Sequence, residues 1–225
     1  MSTPSTHRSI AHSLARSVLI TPVILLFTTG CSVFGVESVE QASYSVVKKD
    51  GAFEIRDYDP MVVVETRVDA DFRKAGNAAF KKLFGYISGE NTGSEKIAMT
   101  APVVAAQNES AEGEKIAMTA PVTASADGNS WVYRFVLPQS YQLETAPRPL
   151  NPEVKLLEVP AKRVAAIRFS GRSTEKARQR KTEALNEWLS NAGIEAISDP
   201  RWAGYNAPWA LPPFRRNEVL VDVAQ

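Results

Sequence analysis

The sequence predicts an α+β fold in which antiparallel strands and two helices form two similar halves. Three observations carry this. Short runs rich in β-branched and aromatic residues recur between turns marked by Gly and Pro. Two longer segments, Asp71–Ile87 and a second opening at Ser173 or Thr174 and running to about Ala192, space their apolar residues three and four apart. Each half reads strand, helix, strand, strand, so a β-α-β-β unit is repeated and a pseudo-twofold can relate the copies.

Taken in order, Tyr44–Lys49 and Phe53–Tyr58 are strands flanking Asp50-Gly51, a tight hairpin signal. Met61–Val68 (MVVVETRV) is a third strand, richer in β-branched residues. In Asp71–Ile87, Phe72, Ala75, Ala79, Phe80, Leu83, Phe84 and Ile87 form an amphipathic helical stripe, and Gly89 suits its stop. Trp131–Pro138 (WVYRFVLP) is a strand, and Pro138–Pro152 is irregular by composition. Val154–Val159 and Arg163–Phe169 are strands; the second helix buries Leu185, Trp188 and Leu189 and closes at Gly193. Strands near Trp202–Tyr205 and Asn217–Val223 finish the chain.

One block of nine residues occurs twice, letter for letter. Glu-Lys-Ile-Ala-Met-Thr-Ala-Pro-Val stands at Glu95–Val103 and again at Glu114–Val122. Ile97, Met99 and Ala101 alternate with Ala98 and Thr100, and a proline follows, so each copy reads as a strand ending at an edge or bend. Ala105–Gly113 between them is polar and contains Gly. Two copies are too few for a solenoid, so the expectation is one antiparallel hairpin with matching arms.

Four further stretches, together with the twin block, resemble the SOUL haem-binding family: Gly89–Asn91, Trp131–Pro138, Arg163–Gly171 and the closing Ala203–Val219 (AGYNAPWALPPFRRNEV). The resemblance runs from about Tyr44 to Val223. It implies a distorted antiparallel barrel or sheet with two helices against it, a groove beside the helices, and a bound haem or similar porphyrin. The chain departs from the family at one chemically important point. Its only histidines are His7 and His12, so the usual haem ligand is missing from the folded part.

The first thirty residues hold Arg8, Arg16 and no acid, followed by the apolar run Val18–Phe27. That run is too short to cross a membrane and suits a signal-peptide core. Thr28-Thr29-Gly30-Cys31 resembles a bacterial lipoprotein cleavage box, although Thr28 replaces the usual leucine. Cys31 is the only cysteine, so an intrachain disulfide is excluded and lipid attachment is the reading that explains the thiol. The expected organisation is a signal peptide over residues 1–30, a lipidated Cys31 with a polar tether to residue 43, and one domain over 44–225. Ser32 after the cysteine favours the outer membrane, facing the periplasm. Without Arg8 and Arg16 the chain has 24 basic and 25 acidic residues, which leaves no electrostatic footprint for nucleic acid.

Catalytic patterns are nearly absent. The chain has no histidine base outside the leader, no Gly-x-Ser-x-Gly elbow, no Gly-rich phosphate loop and no Cys/His metal spacing. Asp57/Asp59 and Asp69/Asp71 read as turn and helix-start residues. Glu218 is the one acid to watch as a pocket base, with an ion pair to Arg215 or Arg216 as the alternative. Phe80 and Phe84, with Lys81, Lys82 and Tyr86 beside them, are either core or the stacking and cationic partners of a flat ligand bearing carboxylates. The family resemblance places Phe80 and Phe84 in the haem groove. Met99 and Met118 hold equivalent places in the twin blocks and are either core filler or thioether ligands to iron. Tyr86, Tyr133 and Tyr205 are either half-buried aromatics with satisfied hydroxyls or further oxygen ligands. The expectation is a haem- or porphyrin-binding lipoprotein of the cell envelope, without catalysis and with no metal site of its own. A module for another flat hydrophobic ligand or for a protein partner is the alternative, and a hydrolase the third.

Overall fold

The protein, examined as a computed structural model, is described over residues 39–93, 113–207 and 209–224. Its strands are β1 (Tyr44–Asp50), β2 (Phe53–Tyr58), β3 (Met61–Val68), β4 (Val122–Asp127), β5 (Ser130–Val136), β6 (Val154–Val159), β7 (Lys162–Phe169), β8 (Arg201–Gly204) and β9 (Asn217–Asp222). The helices are α1 (Phe72–Ile87) and α2 (Glu175–Asn191), and Pro212–Phe214 forms a short 3-10 turn. Among the described residues, all nine strands join one curled antiparallel sheet in the order β1-β2-β7-β9-β8-β4-β5-β3-β6.

That order is symmetric about the β8·β4 seam once β1 is set aside. The units β2-β3-α1-β4-β5 and β6-β7-α2-β8-β9 correspond element by element. Each lends its first strand to the other: β2 pairs with β7, and β6 pairs with β3. The expected pseudo-twofold is therefore present as an exchange of strands, which welds the halves into one sheet.

Local chemistry sets each element. Gly51 has φ +57, which the tight β1–β2 turn needs and a residue with a Cβ resists. Asp71 caps α1, its carboxylate accepting from the Lys74 N–H at 3.1 Å, and Thr174 caps α2 by accepting from the Ala177 N–H at 3.2 Å. Both helices lie on the same face of the sheet. Residues directly opposed across strands share a face, and the row Tyr133–Ala124–Trp202–Val219–Ile167 crosses from the half under α1 to the half under α2. Ala75, Ala79, Leu83 and Ile87 of α1 pack on Val62, Val64 and Phe135, while Leu185 and Leu189 of α2 pack on Ile55, Ala165, Val219 and Val221. The alternate residues Val63, Val164, Ala166 and Leu220 cluster on the opposite face. Burial on both faces explains why these strands read as nearly continuous apolar runs.

The twin block departs from its expectation. The first copy lies outside the described residues, Met99 with it. The second is not a strand arm: Glu114–Pro121 runs as an irregular strap, with a single bridge from Ala120 to Gln41, and only its last residue enters β4. The observed hairpin is β4–β5, turning at Gly128 with φ +59. Asn91 fastens the strap: its side chain donates to the Tyr86 and Glu114 carbonyls and accepts from the Glu114 N–H, each at 2.8 Å. The Ile116 N–H adds a bond to the Ile87 carbonyl at 2.8 Å. Pro121 immediately before β4 and these polar anchors favour a strap over a ladder.

Leu83 is fully buried under α1, whereas Phe84 on the flank of the same helix is 45% exposed. Leu83→Ala should cost about 3 kcal/mol in urea unfolding, and Phe84→Ala less than about 1 kcal/mol. Equal losses would contradict this orientation of α1.

Candidate functional site

Between α1, the strap and the end of β8 lies a cleft of about 580 Å³. α1 and the strap contribute Phe80, Phe84 and Met118 to its lining, and β8 and the segment after it contribute Trp202, Tyr205 and Trp209. Ala124 and Gly204 leave room at the β4·β8 seam, where larger side chains would fill it. Among the described residues the lining includes no ionisable side chain other than Tyr133 and Tyr205. The volume and apolar character suit a small ligand site.

Phe80 and Phe84 are not simply core. They are 36% and 45% exposed, stack on each other with centroids 5.6 Å apart, and Phe80 meets Phe135 edge-on at 5.6 Å. Trp209, which also lines the cleft, is 68% exposed. Large aromatics left open beside a concavity are the informative departure from ordinary burial.

The remaining sequence candidates separate. Met118 lines the cleft, half-buried against the α1 core. Lys81 is exposed, and the cleft lining that includes Phe80 and Phe84 does not include it. Lys82 pairs with Glu153 at 2.9 Å. The three tyrosine hydroxyls are all engaged: Tyr86 donates to the Pro147 carbonyl at 2.8 Å, Tyr133 to the Phe72 carbonyl at 2.9 Å, and Tyr205 to Glu218 at 2.7 Å. Burial pushes Tyr133 up to about 12 and raises Tyr205 well above the usual phenol range, so both remain neutral and poor oxygen ligands. Among the described residues no cluster of three metal-ligating His, Cys, Asp or Glu occurs.

Glu218 sits behind the cleft wall as the centre of a closed network. Its carboxylate is 0% exposed and accepts from Arg56 Nη1 and Nη2 at 2.7 and 2.9 Å, from Arg216 Nε at 2.9 Å and from Tyr205. The ion-pair reading holds with Arg216, not Arg215, whose Nε donates to the Ala210 carbonyl. Arg56, 162 residues away, is the stronger partner and was not visible in sequence. Burial alone would raise the Glu218 pKa, but Arg56, Arg216 and Tyr205 outweigh it and hold the carboxyl below its ordinary 4.5. A carboxylate so engaged is a structural anion, not a poised base.

Because its folded pKa is lowered, Glu218 contributes stability that is present above about pH 4.5 and lost as pH falls towards the folded value. Glu218→Gln should cost about 3–5 kcal/mol near neutral pH, stranding two buried guanidiniums, and should flatten the acid limb of stability against pH. An unchanged acid limb in chemical unfolding would remove Glu218 from this role.

The fold and site have relatives. Residues 39–112 and 105–222 match the family model of the SOUL heme-binding protein. The chain is 30% identical over 173 residues to Heme-binding protein 2 of Homo sapiens, covering 75% of this chain and 77% of that protein. It is 28% identical over 182 residues to Heme-binding protein 2 of Mus musculus, covering 80% and 82%. Among solved structures, a hydrolase from Listeria innocua superposes with TM-score 0.51 at 11% identity, over 79% of this chain and 94% of its own, a likeness of fold alone. With the matched stretches spanning most of its length and including α1 and the cleft, the chain belongs to the SOUL haem-binding protein family.

Proposed function

We propose that this protein binds haem or a related flat tetrapyrrole in the cleft beside α1, without catalysis, as a lipid-anchored protein of the cell envelope. The observation that carries the ligand reading is the open pair Phe80 and Phe84, which together with the exposed Trp209 lines about 580 Å³ of apolar space. Their faces suit stacking on a planar macrocycle. Family membership and the name of the human and mouse relatives support the same ligand class.

The residues present fit the flat body of such a ligand better than its iron. With Tyr133 and Tyr205 engaged, Met118 is the described cleft residue whose side chain offers a soft donor. Affinity then comes chiefly from apolar contact, as suits a carrier. The lipoprotein part of the reading rests on the leader and on Cys31 after Thr28-Thr29-Gly30.

Added haemin should bind saturably with a broad, weakly shifted Soret band, and Phe80→Ala and Phe84→Ala should each weaken it about tenfold through lost contact area. A sharp bis-nitrogen spectrum, or no saturable binding below haemin self-aggregation, would overturn the ligand reading. Cys31→Ser should release the protein from the membrane fraction or leave an uncleaved precursor. Unchanged partition and unchanged size would remove the anchor.

A further inference from the structure

A second cavity of about 570 Å³ lies between the N-terminal halves of α1 and α2, sharing Phe72 and Trp202 with the cleft. Three residues that line it carry hydrogen-bond donors without a full set of acceptors. Arg178 on α2 is only 5% exposed, yet its one hydrogen bond runs from Nη1 to the Ser173 carbonyl at 2.7 Å, and among the described residues it pairs with no carboxylate. Its guanidinium lies over the Phe72 ring at 3.6 Å and near the Trp202 ring at 5.3 Å. The Trp202 indole N–H and the Thr182 hydroxyl are buried and unpartnered. An indole nitrogen only donates, and guanidinium N–H groups only donate. Burial pulls the Arg178 pKa down despite the pull of Glu175, the mark of a cation whose charge is incompletely balanced.

Buried donors left unsatisfied are costly and call for an acceptor. The neighbouring cleft, which shares Phe72 and Trp202 with this cavity, would hold an apolar body beside it. We infer that Arg178, Thr182 and Trp202 form a carboxylate subsite, which receives the acidic arm of a flat ligand lying in the adjoining cleft. The inference rests on the proposed ligand class and names the residues that would distinguish an acid from its ester. It moves the cationic partner from Lys81 and Lys82 on α1 to a buried guanidinium on α2, where a forked charge-assisted contact is stronger than at the surface. The acids that share this cavity lie at its exposed rim. Asp71 is held by Lys74 and the start of α1, Glu183 accepts from Gln179, and Glu175 opens α2.

Titration of the full-length protein with protoporphyrin IX and with its dimethyl ester tests this, because neither has iron to confuse the comparison. The parent should prefer the diacid by about tenfold, the size of one hydrogen-bonded charge contact. Arg178→Gln should bring the ratio to about one while leaving ester affinity unchanged. Thr182→Val replaces an unpartnered hydroxyl by a methyl of the same shape, so it should fold normally and lower the ratio in part. Trp202→Phe also trims a ring that lines both cavities, so its readout is the acid-to-ester ratio, which cancels the shared loss of apolar contact, and not the affinity itself. They decide the matter if Arg178→Gln does not fold. Equal binding of acid and ester by the parent, or a ratio unmoved in all the folded variants, overturns the subsite while leaving the ligand class standing. Failure of both porphyrins to bind overturns the ligand class, and the subsite with it.

Discussion

The buried Glu218 network is the constraint on which the site depends. One carboxylate on β9 holds Arg56 of β2, Arg216 before β9 and the hydroxyl of Tyr205 just past β8. Arg56 stacks on Tyr44 at 4.5 Å and Arg216 on Tyr205 at 3.7 Å, so the guanidinium faces are covered as well as their edges. Such an arrangement is no assured gain in stability, since desolvating three ions opposes their attraction. What it supplies is position. Tyr205 cannot rotate away without abandoning a buried anion, and Tyr205 is a wall of the cleft.

The cleft itself follows from the symmetry of the sheet. Exchange of β2 and β6 places the two helices on one face with the short β8·β4 seam between them. Small residues at that seam leave a strip that neither helix covers. Phe72 of α1 and Arg178 of α2 meet across one end of it, where the apolar cleft adjoins the donor-lined cavity. Phe80 and Phe84 flank the other part, about two and three turns further along α1, on an edge of the helix that the sheet covers only in part.

Most of the fold was legible in the sequence because its signals are local. Turn glycines, helix caps and alternating β-branched runs located most of the strands and both helices. β4 escaped because VTASAD is short, weakly apolar and rich in small polar residues, so it carries little strand signal. The twin block misled through its alternation, which is also compatible with a strap held by Asn91. Burial across the fold was less legible. A helical stripe as wide as that of α1 does not say which edge meets the sheet, so Phe80 and Phe84 could be read as core or as cleft. Arg178 was missed for a related reason: a basic residue amid the many charges of α2 reads as solvent-facing, and only the approach of Phe72 and Trp202 buries it. The Arg56–Glu218 pair joins residues from opposite ends of the domain, and no spacing announces it.

The central claim is that the cleft between α1 and β8 is where a flat ligand binds. Backbone amide chemical shifts recorded during protoporphyrin IX titration test it most directly, because they report location without depending on an iron ligand. The account predicts changes concentrated at Phe80, Phe84, Met118 and Tyr205, and extending to Arg178. Changes confined to exposed apolar residues elsewhere, such as Leu150 or Ile197, would contradict it.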